Sequence, residues 1–250
     1  MKEYADRIGA DYVFEENPKW ERAARIPGKW SRYYGCFKPV FDDHYHEYDN
    51  VLFADTDVFP VDGLEENIFE TFTGELGMCT EPLQPEYRVI KGLAEKDKAW
   101  ARIVEHKYGS KPPKDAKGRY KVYNSGVVLY SNAGLVKCKE SFPSFNEYVT
   151  LMQGVAGVHQ TDQGYLHAMA FAMDIDFQEL DNEWNRYIVY DPKVKPVMNT
   201  RKVCDPRTPN TKMVHVQLAG SDHQSNKWHY NVVNKPVTTW GSNFKGEILV

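Results

Sequence analysis

The stretch YDNVLFADTDVFP, residues 48 to 60, decides how the rest of the sequence is read. Val51, Leu52, Phe53 and Ala54 form a short apolar run that predicts a buried strand, and that run leads straight into Asp55 and Asp57. Residues two apart on an extended strand project to the same side, so both carboxylates can meet one divalent cation. If the chain turns there, one of them binds through water instead. Hard oxygen ligands favour Mg²⁺ or Mn²⁺. An Asp-x-Asp triplet is also an ordinary strand-end turn in which Asp caps backbone amides, so its meaning depends on its setting.

The bulk composition narrows that setting. The chain has 250 residues with 31 basic and 35 acidic side chains, and a net charge of -4 supplies no broad basic face. This argues against nucleic acid or an anionic membrane as the main partner. Pro and Gly are scattered rather than gathered into a linker, which predicts a single domain over residues 1–250. Cys36, Cys79, Cys138 and Cys204 form no C-x-x-C pair, so buried, reduced thiols are expected rather than a zinc knuckle or a disulfide framework. The opening MKEYADRIGADY lacks the apolar run of a signal peptide, and no stretch reaches the ~18 apolar residues of a membrane span. A cytoplasmic setting is the expectation.

Along the chain, residues 2 to 9 read as a helix stopped at Gly9, and DYVFEEN as a strand running into the turn signal Asn17-Pro18. Tyr33, Tyr34, Phe37, Val40, Phe41 and His44 fall near helical spacing, with Pro39 marking a kink or a fresh start. ENIFETF reads as a short helix, GELGMCTE as a strand, and residues 91 to 108 as a helix with Leu93, Trp100, Ile103 and Val104 inward. GSKPPKDAKG is an exposed loop. YKVYNSGVVLYSN is a second apolar strand interrupted by Asn124, Ser125 and Gly126, and TDQGYLHAMAFAM is a helix capped by Thr161. Its Leu166, Met169, Ala170 and Met173 should face the core. IDFQEL and KMVHVQL complete the strands. Strands alternating with helices predict an α/β fold with a largely parallel sheet, whose ligands sit beyond the carboxyl ends of the strands.

Three further segments bear on the aspartates. YNSGVVLY places small polar residues where a larger side chain would block a ligand, and Gly126 allows close backbone approach; a β-bulge is the bland alternative. TDQG puts an acid and an amide at a helix start, which is also an ordinary N-cap. KMVHVQLAGSDHQSNKW carries His215, a possible metal ligand or a satisfied core histidine, then Gly220 and Lys227, a possible phosphate contact.

The order YDNVLFADTDVF, YNSGVVLY, TDQGYLH, DNEWN and VHVQLAGSDHQSNKW resembles the nucleotide-sugar transferases of the GT-A fold, closest to glycosyltransferase family 8, the glycogenin-like and bacterial galactosyltransferase-like group. The resemblance covers roughly residues 1 to 230 and rests on several motifs in order. It implies a Rossmann-like mixed, mostly parallel sheet flanked by helices, and a metal-dependent transfer of a sugar from a nucleoside diphosphate sugar to an acceptor hydroxyl, with retention of configuration. The donor implied is a UDP-sugar, and the acceptor a glycan, protein or lipid.

By the same resemblance Asp55, Asp57 and His215 hold Mn²⁺ (or Mg²⁺), Asn124, Ser125 and Gly126 contact the donor sugar, and Gly220 and Lys227 meet the diphosphate. Asp162 holds sugar hydroxyls and Gln163 lies near the anomeric carbon. Two departures stand out. The family's ending is commonly H-F-x-G-x-x-K-P-W, whereas here Val216 follows His215, the loop is longer, the proline before Trp228 is missing, and His223 competes as a ligand. The chain also begins inside the helix that normally follows the first, central strand, which implies an absent first strand, a truncated start, or cover by another segment such as the C-terminal KGEILV.

Two rivals remain at this level. A haloacid-dehalogenase-like phosphatase shares the apolar strand and D-x-D, but has Thr or Val where Phe59 stands here, and it needs a late acidic pair; Asp42-Asp43 comes too early. DDHYH, residues 42 to 46, reads as a solvated helix end. The other rival is a catalytically silent sugar-nucleotide or glycan-binding domain of the same fold.

Overall fold

The computed structural model describes residues 1–14, 35–80, 92–155, 157–190, 201–204, 208–217 and 246–249. They form a mixed α/β protein whose residues pack as two compact units. One takes its residues from Met1–Phe14, Thr56–Ile68 and Asp181–Val250, the other from Glu15–Asp55 and Phe69–Leu180.

The second unit is built on β1 (Asn50–Ala54), β3 (Leu76–Thr80), β4 (Tyr123–Ser131) and β5 (Phe177–Glu179). They lie side by side in the order β1-β4-β3-β5. β1 and β3 run antiparallel to β4, and β5 runs parallel to β3. Around this sheet stand α2 (Lys38–Phe41), α3 (Ala94–Tyr108), α4 (Asn132–Ser141), α5 (Phe145–Leu151) and α6 (Asp162–Ala172).

The core is aromatic: Phe37 packs on Tyr165 with ring centroids 4.8 Å apart, and Trp100 Nε1 donates to Tyr148 Oη at 2.9 Å. Tyr148 Oη in turn donates to the His159 carbonyl at 2.7 Å and Tyr130 Oη to the Cys36 carbonyl at 2.6 Å, so both buried hydroxyls are satisfied. Trp100 and Val104 are buried as their spacing predicts, with Ala101 and Asp97 beside them on the same face. Buried Asp97 has the equally buried His159 beside it, with Nε2 3.1 Å from Asp97 Oδ1.

The first unit holds α1 (Lys2–Ile8) and a five-stranded sheet of β2 (Val58–Pro60), β6 (Arg186–Tyr190), β7 (Arg201–Cys204), β8 (Met213–Gln217) and β9 (Gly246–Leu249), in the order β2-β8-β6-β7-β9. Gly9 stops α1 as expected, at φ 70° in the left-handed region that glycine enters without strain. The helix is tied down by Tyr4, whose hydroxyl donates to the Glu66 carbonyl at 2.9 Å and accepts from Ile68 N at 3.1 Å. KGEILV supplies β9, parallel to β7.

Several expectations change. Residues 11–14 of the expected strand DYVFEEN are not a strand, and Phe14 is 63% exposed; an apolar run without a pairing partner has nothing to order it as a strand. Residues 15–17 lie outside the described residues. Neither DDHYH nor ENIFETF is α-helical. Asp43–Glu47 and Ile68–Thr71 are 3-10 turns, the first capped by Asp42, which accepts from His44 N at 3.2 Å. β4 is not interrupted at Asn124, Ser125 and Gly126, because the irregularity is in its pairing. Met78 pairs with Val128 but Cys79 with Asn124, so Ser125, Gly126 and Val127 face no residue of β3. No helix among the described residues is long and apolar enough to cross a membrane.

Candidate functional site

β1 ends at Ala54, and the chain turns at Thr56 and Asp57 before β2 begins, so the extended geometry that would aim both aspartates one way does not persist. In the second unit, Asp55 N donates to the Gly126 carbonyl at 2.9 Å, which carries the β1-β4 ladder one residue past the strand. The bulge of β4 frees backbone groups that need other partners. Gly126 N donates to Asn124 Oδ1 at 2.8 Å, and Ser125 N to Gln163 Oε1 at 3.3 Å. Asn124 Nδ2 reaches the same Gln163 oxygen at 3.3 Å. The Asn-Ser-Gly segment and the Asp-Gln pair are therefore brought together by one amide that satisfies the bulge.

Gln163 can do this because α6 starts beside it. Thr161 caps the helix by accepting from Gly164 N at 3.2 Å, and Asp162 Oδ1 accepts from Gln163 N at 2.9 Å. Gly164 is required by packing: a Cβ there would stand 2.6 Å from the His159 carbonyl oxygen. Asp162 and Asp55 both bear on Cys36, whose thiol is pushed well above its usual range by burial first and then by these two carboxylates, against a hydrogen bond with Ser125. Asp55, Ser125 and Asp162 thus share one neighbourhood around a buried, protonated thiol.

The first unit brings together Asp57, His215 and Asn185. β2 and β8 pair so that Val58 stands opposite His215, and Val216 N donates to the Asp57 carbonyl at 2.9 Å. His215 is buried, its Nε2 lies 3.2 Å from Asp57 Oδ1, and its Nδ1 lies 3.3 Å from Asn185 Oδ1. Adjacent ligands of an octahedral ion held at about 2.1 Å lie about 3 Å apart, so this carboxylate oxygen and imidazole nitrogen have the spacing of neighbouring ligands of one divalent ion.

Asn185 closes the 3-10 turn Asn182–Asn185, which Asp181 caps by accepting from Glu183 N at 3.0 Å. Glu183 clamps this turn to the segment before β8. It pairs with Arg186 and accepts from Thr208 Oγ1 at 3.0 Å and Thr211 Oγ1 at 3.1 Å. The hydrogen bond from Arg186 holds the Glu183 carboxyl below its usual range, against partial burial and helped by both threonines. A carboxyl with a lowered folded-state pKa stabilises the fold above its unfolded value, about 4.3, and loses that contribution as pH falls through the folded value. Glu183→Gln should therefore lower the melting temperature at neutral pH, with the gap to wild type closing on acidification. A gap that stays constant through that range would show that the charge contributes nothing.

Gly220, Lys227 and His223 lie outside the described residues. Sequence reasoning placed DNEWN among the motifs but gave Asn185 no part. Its signal was there, in a polar residue at the start of an apolar strand, and it gained meaning only from the pairing of β6 with β8.

No protein-family profile matches the sequence, and a search of curated proteins finds no match. Among solved structures, the chain is similar to mouse xyloside xylosyltransferase 1 in its apo form, at 17% identity and a TM-score of 0.38 over 76% of this chain and 65% of that one. It is also similar to the apo structure of the bifunctional glycosyltransferase WbbM, at 13% identity and a TM-score of 0.33 over 61% of this chain and 25% of that one. Both neighbours are glycosyltransferases by name, and this chain spans less than two thirds of the length of either.

Proposed function

We propose that this chain is a glycosyltransferase of the GT-A type that moves a sugar, with retention, from a nucleoside diphosphate sugar to an acceptor hydroxyl with the help of a divalent metal. The observation that carries the proposal is the meeting of Asp57 and His215 across β2 and β8, with the oxygen and nitrogen donors 3.2 Å apart. Asp55, two positions before Asp57 along the chain, is the third ligand in this reading. Mn²⁺ (or Mg²⁺) bound there would neutralise charge developing on the departing diphosphate.

The chain's own residues do the rest. The amide oxygen of Gln163 is occupied by Asn124 and Ser125, and in this reading its Nε2 is the end that would donate near the bond that breaks. Asp162 holds a sugar hydroxyl, Asn124, Ser125 and Gly126 line the sugar, and Gly220 and Lys227 attend the diphosphate. A UDP-sugar is the donor proposed, the acceptor is a glycan, protein or lipid, and the setting is cytoplasmic.

A thermal-shift screen of nucleotide sugars tests this. A UDP-sugar at a hundred times its dissociation constant should add about 2.7 kcal/mol in the presence of Mn²⁺ and much less in chelator. Release of the nucleoside diphosphate in the same mixtures separates an enzyme from a silent binder. If no nucleotide sugar shifts the melting temperature with either metal, the proposal fails.

A further inference from the structure

We propose that Tyr148 is a positioning residue whose hydroxyl fixes the start of α6, and with it Asp162 and Gln163. What this does for sugar transfer rests on the function proposed above, but the mechanical link itself does not.

The direction of both hydrogen bonds at Tyr148 Oη follows from its neighbours. The Trp100 indole N–H can only donate and the His159 carbonyl can only accept. The hydroxyl therefore takes a hydrogen bond from Trp100 at 2.9 Å and gives its own proton to His159 at 2.7 Å. Trp100, Tyr148 and His159 are all buried, so bulk water does not replace either bond.

The carbonyl held in this way lies against the first turn of α6. Gly164, the third residue of that helix, comes so close that a Cβ there would stand 2.6 Å from the oxygen. The chain around it is held as well. Gln160 Nε2 donates to the Met152 and Val155 carbonyls at 3.0 and 2.8 Å, and Thr161 caps the helix at Gly164 N. In a close-packed interior, a shift of the His159 carbonyl passes to the turn that carries Asp162 and Gln163. Through Gln163 Oε1 it reaches Ser125 N in the bulge of β4.

Tyr165 provides the comparison with an ordinary core hydroxyl. It is buried in the same core, its ring centroid 5.5 Å from that of Tyr148, but its Oη donates to the Pro143 carbonyl at 2.6 Å rather than to the segment that enters α6.

The test compares Tyr148→Phe with Tyr165→Phe in the whole chain, by NMR-resolved amide hydrogen exchange and by steady-state kinetics with a nucleotide sugar. Tyr148→Phe keeps the ring and removes one hydrogen bond, so the Ser125, Gln163 and Gly164 amides should exchange about 5- to 10-fold faster. It should also lower kcat about 10-fold with KM nearly unchanged, as expected when catalytic groups are slightly misplaced. Tyr165→Phe should leave those amides and kcat as in wild type. Unchanged exchange at the three amides in Tyr148→Phe overturns the inference, and so does the same acceleration in Tyr165→Phe, which would mark a general loosening of the core. In wild type alone, the Tyr148 hydroxyl proton should exchange slowly enough to give a cross-peak to the Trp100 indole proton. A hydroxyl that exchanges freely with water overturns the inference without requiring any variant to fold. Faster exchange confined to the three amides, in a protein that transfers no sugar, would uphold the link to α6 and sink the proposed function.

Discussion

Asp57→Asn should lower sugar transfer about 10³-fold while leaving the protein folded. The charge on the departing diphosphate is the main electrostatic problem of the reaction, and removing one well-placed group that offsets such a charge costs about 10² to 10³ in turnover. Asp57 sits at the more costly end of that range because it is at once a ligand in the proposed set and the neighbour of His215. The substitution keeps shape and one acceptor oxygen, and it relieves the repulsion between neighbouring carboxylates in the metal-free protein, so the melting temperature should barely move. Asp55→Asn should behave alike, and excess chelator should do to wild type what either substitution does. His215→Ala should weaken Mn²⁺ binding less. Full activity in chelator, measured as release of the nucleoside diphosphate, would remove the metal from the mechanism.

Asp162→Asn should lower kcat about 10²-fold with KM nearly unchanged. Asp162 opens an 11-residue helix capped by Thr161, and one of its oxygens is already held by Gln163 N at 2.9 Å. Asparagine retains that acceptor and the helix start, so the change isolates the negative charge. A sugar hydroxyl held by this charge becomes a better donor as the anomeric carbon flattens and turns positive, which makes the interaction stronger in the transition state than in the bound donor. The local environment supports a group placed for its charge: the same carboxylate helps to keep the Cys36 thiol protonated. A rise in KM at constant kcat would assign Asp162 to binding alone, and unchanged kinetics would take it out of the site.

What local pattern encodes was readable in advance. The apolar run before Asp55 became β1, Gly9 ended α1, and Thr161 caps a helix whose Leu166, Met169 and Ala170 are buried. Each of these follows from side-chain periodicity or from a single residue's backbone preference, interactions that span a few positions along the chain. The expected strand over residues 11–14 failed for the complementary reason: β-propensity records how well a side chain fits a pleated, half-buried surface, and Tyr12, Val13 and Phe14 are exposed without one. The break at Asn124, Ser125 and Gly126 was located correctly, and of its two readings the structure shows the bulge. It is a slip of register against β3 within a continuous β4, and register belongs to two strands at once.

By itself, then, the amino-acid order determined several of the strands and helices, and which segments carry carboxylates, amides and an imidazole at their ends. Only the tertiary structure decided which of them meet. Gln163 joins Asn124 and Ser125 because a bulge leaves backbone amides that need an acceptor, and Asn185 reaches His215 because β6 and β8 pair in one register. Nothing along the chain encodes either meeting locally. Thirty-nine positions separate Asn124 from Gln163 and 30 separate Asn185 from His215, and contacts over such distances form only when burial of the core selects one pairing of strands.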